Sequence, residues 1–388
     1  MWSDIVGQKR IINILKNIYK NKKISHAYIF WGKEGTGKDA VALEFAKLIN
    51  CNNLDSDLNP CDSCKYCRGI NELYSSHFRL ITALPSNLKG MDTKDELSGT
   101  EENYKVNTVV KKSEEYEIYL EELDKKKQNH YYKIVIPKAN EILIDSIREI
   151  KRELQFTFSK GKYKVILISC ADLMNPESSN ALLKILEEPP ENCLLLLTTS
   201  RVNSLLPTIY GRCQKIKFDS LQEKEIADYL IKYKPELDKE KALFYACISE
   251  GSISRAIQIA DSYLMDLRED IINLLRETVR GKMSSANKII ESISKGKDRE
   301  RISNALFIIM TWFRDANYYL NNYENKIINK DKIENIRRFC ANYEFDFYKI
   351  ISITEDTIKE LENNINPEIL LNNFIYDVGI LIREKKHL

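Results

Sequence analysis

Residues 29–39, IFWGKEGTGKD, hold the chemistry most directly legible in the chain. Gly32, Gly35, Gly37 and Lys38 stand at the spacing of a phosphate-binding loop, G-x-x-x-x-G-K-[ST]. In such a loop the glycines let backbone N–H groups close around phosphates, the lysine reaches the β and γ oxygens, and the final hydroxyl ligates magnesium. Here the final position is Asp39. A carboxylate can bind magnesium, but it is a fixed negative charge beside the phosphates it should receive. One like-charge pair at roughly 5 Å and an effective dielectric of about 20 costs about 3 kcal/mol. The loop is therefore expected to persist as scaffold, with ATP and magnesium binding weak or absent.

Cys51, Cys61, Cys64 and Cys67 form a second constellation, C-x9-C-x2-C-x2-C. Two overlapping C-x2-C pairs bring three thiolates to one ion, and Cys51 can supply the fourth ligand of a tetrahedral site. Structural zinc is the expected occupant. An iron–sulfur site would favour a further cysteine with a proline just downstream, and a redox dithiol would not need four thiols. Four thiolates leave zinc no open position, so the site should stabilise rather than catalyse.

A third stretch, VILI at 165–168, reads as a buried parallel strand, because it is apolar without alternation. In a nucleotide hydrolase of this class such a strand ends in Asp-Glu, the first holding the magnesium shell and the second orienting the attacking water. This chain has Ser169 and Cys170. With Asp39, that makes two departures from a working ATPase.

These residues need a scaffold, and the bulk numbers bound it. A chain of 388 residues is long enough for two or three domains, and 43% apolar content is ordinary for a globular protein. A formal charge of +2 argues against a strongly basic nucleic-acid binder, so any DNA contact must be local. No apolar stretch is long enough to span a bilayer and the first residues do not read as a targeting signal, which predicts a soluble, intracellular protein without membrane contact. Nine cysteines, four of them clustered, suit metal binding in a reducing compartment.

Strands alternate with helices over residues 27–218, which predicts a mostly parallel sheet covered on both faces. Ile11, Ile12, Leu15 and Ile18 mark an amphipathic packing helix before it. Residues 86–130 turn charged and read as a solvated surface insertion, with a helix near 113–127. Residues 142–154 form an amphipathic helix with Ile144, Ile147, Ile150 and Leu154 on one face and Arg148, Lys151 and Arg152 on another. Together with Lys160, Lys162 and Lys164, that basic stretch is a candidate phosphate-tracking patch, although most charged helical faces are merely solvated. Asn175 and Pro176 cap a further helix that Pro189 and Pro190 end. After Phe218 strand signals vanish and helices continue to the end.

The combination of HAYIFWGKEGTGK, the four-cysteine module, IDSIREI, SSNALLKILEEPPEN, LLLLTTS and PTIYGRCQ resembles the clamp-loader branch of the AAA+ superfamily, and within it the delta-prime subunits of bacterial DNA polymerase III. The resemblance implies an α/β AAA+ P-loop domain at 1–218 with an inserted zinc module at 51–67, a helical lid at 219–262 and an all-α collar domain at 263–388. It implies a cytoplasmic, non-hydrolysing subunit that works with gamma/tau and delta subunits, indirectly with the sliding clamp, and with primed DNA in the assembled complex; the alternative is an active gamma/tau-like motor. Thr199 matches the position that senses the γ-phosphate in active relatives, though a strand-end threonine needs no such role. Arg212, in Gly-Arg-Cys where relatives have Ser-Arg-Cys, matches an arginine placed on a neighbour's ATP. Arginine suits that role because it is always charged and offers a planar fork of donors. Arg255 falls one position after the second sensor arginine, where Ser254 stands, and is expected at the surface.

Overall fold

Unbroken apolar runs become the central strands because a strand buried on both faces has no solvent side to mark with polar residues. The computed structural model describes residues 1–86, 114–154, 162–261, 264–361 and 365–384. They fall into two units, Met1–Gln222 with Ser252–Ser254, and Glu223–Gly251 with Arg255–Leu388. Residues 87–113 of the expected insertion, and Lys160, lie outside the described residues.

The first unit runs α1 (Lys9–Lys20), β1 (Ala27–Trp31), α2 (Lys38–Asn50), α3 (Lys65–Asn71), β2 (Tyr74–Ser75), β3 (Phe78–Ile81), α4 (Glu114–Gln128), α5 (Ile144–Glu153), β4 (Lys164–Ile168), α6 (Pro176–Glu187), β5 (Cys193–Thr199), α7 (Pro207–Arg212) and β6 (Gln214–Lys217). The sheet order is β2-β3-β4-β5-β1-β6, parallel except for the β2 edge, which pairs antiparallel with β3. Alternate residues of β1, β4 and β5 feed two cores. Tyr28, Phe30, Val165, Leu167, Leu194 and Leu196 pack with α1, α2 and α3. Ala27, Ile29, Ile166, Ile168, Leu195 and Leu197 pack with α5, α6 and α7 on the other face. Truncating one of these side chains to alanine costs about 2–5 kcal/mol.

The expected caps are present: the Asn175 side chain accepts from the Ser178 N–H and Pro176 opens α6. The basic stretch divides. Arg148, Lys151 and Arg152 are exposed on α5, and Arg148 reaches Asp145 at 3.3 Å. Lys164 is instead buried at the head of β4, paired with Glu153 at 2.9 Å and donating to the Ser76 carbonyl at 3.1 Å. Burial, reinforced by Arg79, lowers its pKa to about 8. Lys162 donates to the Asn50 carbonyl at 2.7 Å and lies over the Tyr66 ring. These two lysines serve the fold, which corrects the expectation of one continuous patch.

The second unit is helical: α8 (Glu223–Tyr233), α9 (Lys239–Ile248), α10 (Ile253–Asp261), α11 (Leu264–Val279), α12 (Met283–Ser294), α13 (Arg299–Leu320), α14 (Ile333–Asn342), β7 (Tyr343–Phe345), α15 (Phe347–Leu361), α16 (Pro367–Leu381) and β8 (Ile382–Glu384), with β7 and β8 pairing antiparallel. Arg268 forks onto Asp331 and Asn329, the latter also held by the buried Asp315. Arg255 is half-buried over the Phe307 ring at 4.4 Å and donates to Asn304 at 3.3 Å, so it is a packing residue rather than the surface residue expected. No described helix is long and apolar enough to cross a membrane.

Candidate functional sites

The phosphate-loop residues occupy the turn between β1 and α2, as the spacing predicts. Gly37 caps α2 at φ +87°, a backbone conformation that side chains avoid, and a Cβ there would stand 2.9 Å from the Tyr131 ring. Lys38 does not point outward. Its ammonium donates to the carbonyls of Gly32 at 2.8 Å and Lys33 at 2.7 Å, and burial lowers its pKa, opposed by the neighbouring Asp39 charge.

Asp39 is not an unbalanced charge. Its Oδ2 accepts from the Lys126 ammonium at 3.0 Å and from the Ser169 hydroxyl at 2.7 Å, and its Oδ1 accepts from the Thr198 hydroxyl at 2.6 Å. Burial alone would raise this carboxyl, but the Lys126 charge and the two hydroxyls outweigh it and hold the pKa below the ordinary value. The two departures read from the sequence are therefore one exchange. Active loops carry the hydroxyl on the loop and the carboxylate at the strand end; here the carboxylate is on the loop and the hydroxyl at the strand end.

Lys126 comes from the last turn of α4, whose described part is no solvated excursion. Glu122 on the same helix is buried and receives Lys125, the Tyr132 hydroxyl at 2.9 Å and the Val135 N–H at 2.8 Å. This fixes the chain that returns from α4. Along it, the Tyr131 hydroxyl accepts from the Val6 N–H at 2.6 Å and donates to the Asp4 carbonyl at 3.2 Å, while Ser254 donates to the Tyr131 carbonyl at 2.6 Å. Lys133 pairs with Glu34 of the loop. A cavity of about 280 Å³ remains beside the loop, lined among others by Gly37, Lys38, Asp39, Lys126, Tyr131 and Ser169.

Thr199 is committed elsewhere: its hydroxyl donates to Asp172 at 2.7 Å and accepts from the Arg201 N–H at 3.0 Å. The threonine that touches Asp39 is Thr198, one residue earlier. Sequence reasoning missed Lys126, Tyr131, Thr198 and Asp172. The available signal was Asp39 itself, since a carboxylate among buried backbone amides and strand ends calls for a cation, and the run Lys125, Lys126, Lys127 supplied one.

The four cysteines do converge. The sulfurs of Cys51, Cys61, Cys64 and Cys67 all lie within 4.8 Å of one another, compared with about 3.8 Å expected across a tetrahedron with zinc–sulfur distances near 2.3 Å. Backbone N–H groups of Asn53 and Cys61 point at the Cys51 sulfur, each at 3.4 Å, and that of Cys64 at the Cys61 sulfur at 3.3 Å. The Ser63 hydroxyl and nearby amides hold the Cys61 thiol down at about 6. A set of four thiols, converging and supplied with N–H donors, fits a structural zinc ion.

Arg212 ends α7, is exposed, donates to Glu187 at 2.9 Å and to the Thr208 carbonyl at 3.1 Å. Nothing lies within 4 Å of a Cβ built on Gly211, so the glycine there has no steric reason.

A family model for the DNA polymerase III delta subunit matches residues 7–222, and one for its C-terminal part matches 262–379. The chain is 26% identical over 375 residues to DNA polymerase III subunit delta' of Bacillus subtilis, covering 95% of each. It is 29% identical over 308 residues to subunit tau of the same organism, covering 79% of this chain but 40% of the relative. It thus spans well under half of tau. Among solved structures, a gamma subunit-related protein of Thermotoga maritima aligns with a TM-score of 0.43 at 15% identity, over 94% of this chain and 99% of that one. The RuvB motor of the same organism reaches 0.38 at 12%, over 78% and 77%.

Proposed function

Because the chain belongs to the DNA polymerase III delta subunit family, we propose that it is a delta-prime-like, non-hydrolysing subunit of the clamp loader, acting in the cytoplasm. In this reading it occupies one seat beside gamma/tau and delta subunits, helps set the sliding clamp on primed DNA, and contributes to catalysis only through Arg212, offered across an interface to a neighbour's ATP. The observation that carries the non-hydrolysing part is the pairing of Asp39 with Lys126, Ser169 and Thr198, which engages the loop and strand-end residues at the positions that would organise magnesium and water. Near-complete mutual coverage with subunit delta' supports the choice within the family.

Two surfaces suit the assembly. Ile369, Tyr376 and Ile380 lie exposed at one-face spacing on α16, an apolar stripe fit for neighbouring collar helices. Arg148, Lys151 and Arg152 are available to DNA phosphates. The cysteine centre would hold a structural zinc ion.

Replacing Arg212 with alanine tests the finger. Clamp- and DNA-stimulated ATPase of the reconstituted complex should fall by about 10³-fold or more at the site it serves, with assembly intact. Unchanged turnover removes the role. The identity with tau favours a second reading, an active motor; magnesium-dependent turnover by the purified chain, abolished by Lys38→Ala, would decide for it.

A further inference from the structure

The loop that resembles a nucleotide site is furnished from within. Three contacts carry this, all inside the first unit. The Lys126 ammonium lies 3.0 Å from Asp39, the residue at the magnesium-ligating position, and 2.7 Å from the Tyr132 carbonyl. The Tyr131 ring lies against Gly37, whose N–H belongs to the phosphate cradle, closely enough that even a methyl group there would meet it at 2.9 Å. Lys38, which should reach phosphate, donates to two carbonyls of its own loop. A magnesium–nucleotide complex does not fit these residues as they stand: the cation position already holds a positive charge, and the cradle already has an aromatic neighbour.

We propose that residues 126–133 are an intramolecular occupant of the nucleotide cleft, with the Lys126 ammonium serving as a tethered substitute for the divalent cation. The assignment deepens the non-hydrolysing reading and rests on it, but it says more. A degenerate loop could be open and weak; this one has the chain that returns from α4 packed against it, narrowing the cleft to a cavity of about 280 Å³. The occupant is built rather than incidental, because Lys126 is 3% exposed and the carboxylate of Glu122 anchors both Tyr132 and Val135. It also explains why Asp39 is tolerated. A lysine at 3.0 Å is a permanent counter-charge that needs no metal concentration to be present.

The test uses the full-length chain and Mn²⁺ alone as probe, followed by loss of the free-ion electron paramagnetic resonance signal. Lys126→Ala removes the ammonium and leaves Asp39, Ser169, Thr198 and the Tyr132 carbonyl, a set of oxygen donors suited to Mn²⁺. The variant should gain one Mn²⁺ equivalent bound at least tenfold tighter than by the parent, and lose it again in Lys126→Ala with Asp39→Asn. Adding Tyr131→Ala should tighten ATP·Mn²⁺ binding at least tenfold over the parent. A folded Lys126→Ala protein that gains no Mn²⁺ overturns the proposal, as does a parent that already binds Mn²⁺ in an Asp39-dependent manner. Should Lys126→Ala not fold, Lys126→Met preserves the bulk, and hydrogen exchange on the parent needs no variant. Protection of residues 126–133 approaching that of α2 supports the occupant, and exchange of the whole segment within seconds overturns it. Parent Mn²⁺ binding without ATP turnover would sink this proposal alone, whereas turnover by the parent would sink the non-hydrolysing reading with it.

Discussion

The two polar centres of the first unit solve the same problem in opposite ways. In the loop beside Asp39, the groups that should await a ligand have become one another's partners: carboxylate, ammonium and two hydroxyls close a circuit within the chain. In the cysteine centre four thiols converge, and the N–H groups around them stabilise sulfur without replacing an ion. In the first the polar groups pair with one another; in the second four sulfurs face one point that could hold an ion. Degeneracy of a motif is thus not the same as loss of structure, since an exchanged residue can be as well satisfied as the one it replaced.

The sharpest way to break this comparison is to remove one member from each centre. Purified protein should contain one equivalent of zinc by elemental analysis. Cys67→Ser should lower the melting temperature by about 10 °C or more, as expected for losing several kcal/mol at about 2–4 °C each in a domain of this size. Absence of zinc, or an unmoved transition, would place both centres in the self-satisfied class. Asp39→Asn should come next. It leaves the buried Lys126 ammonium without its counter-charge, a loss of about 3–5 kcal/mol in chemical denaturation, largely recovered when Lys126→Met is added.

His130 gives a smaller effect, on the pH axis. Burial, with the positive charges of Lys47, Lys126 and the amino terminus against the negative Asp62, lowers its pKa to about 4 from an ordinary 6.5. The unfolded chain therefore binds the proton first, so this contribution is complete above about pH 6.5 and is lost as pH falls toward 4. Stability should drop by on the order of 1–2 kcal/mol between pH 7.5 and 5, a slope that His130→Gln should flatten. The least effect is expected at Gly211→Ser, within about 0.5 kcal/mol, because open space surrounds that position. A large change there would mean that the family's serine has a role the isolated chain does not display.

How far the sequence could be read follows from the range of each interaction. The strands around Val165 and Leu195 were legible because burial on both faces writes itself as an uninterrupted apolar run. The cysteine centre was legible because metal geometry confines ligands to short spacings. Lys126 was not, because it lies inside the insertion, 87 residues from its partner, and no local pattern encodes that distance. Lys164 misled for the opposite reason. It follows Lys160 and Lys162 at even spacing and looks like part of a patch, yet it is the first residue of a central strand and must be buried with its charge paired. Asp39 and Ser169 look in the sequence like two separate departures, whereas their mutual hydrogen bond at 2.7 Å makes them one reciprocal arrangement.

That reciprocity couples the loop to the strand end. Serine placed at 39 alone strands a buried ammonium, and aspartate placed at 169 alone sets two carboxylates at hydrogen-bond range, where only one can comfortably ionise. Positions 39, 126 and 169 are thus tied to one another, and a change at one keeps its buried charges paired only if the others change with it. The three residues therefore behave as one unit of substitution rather than as three independent positions.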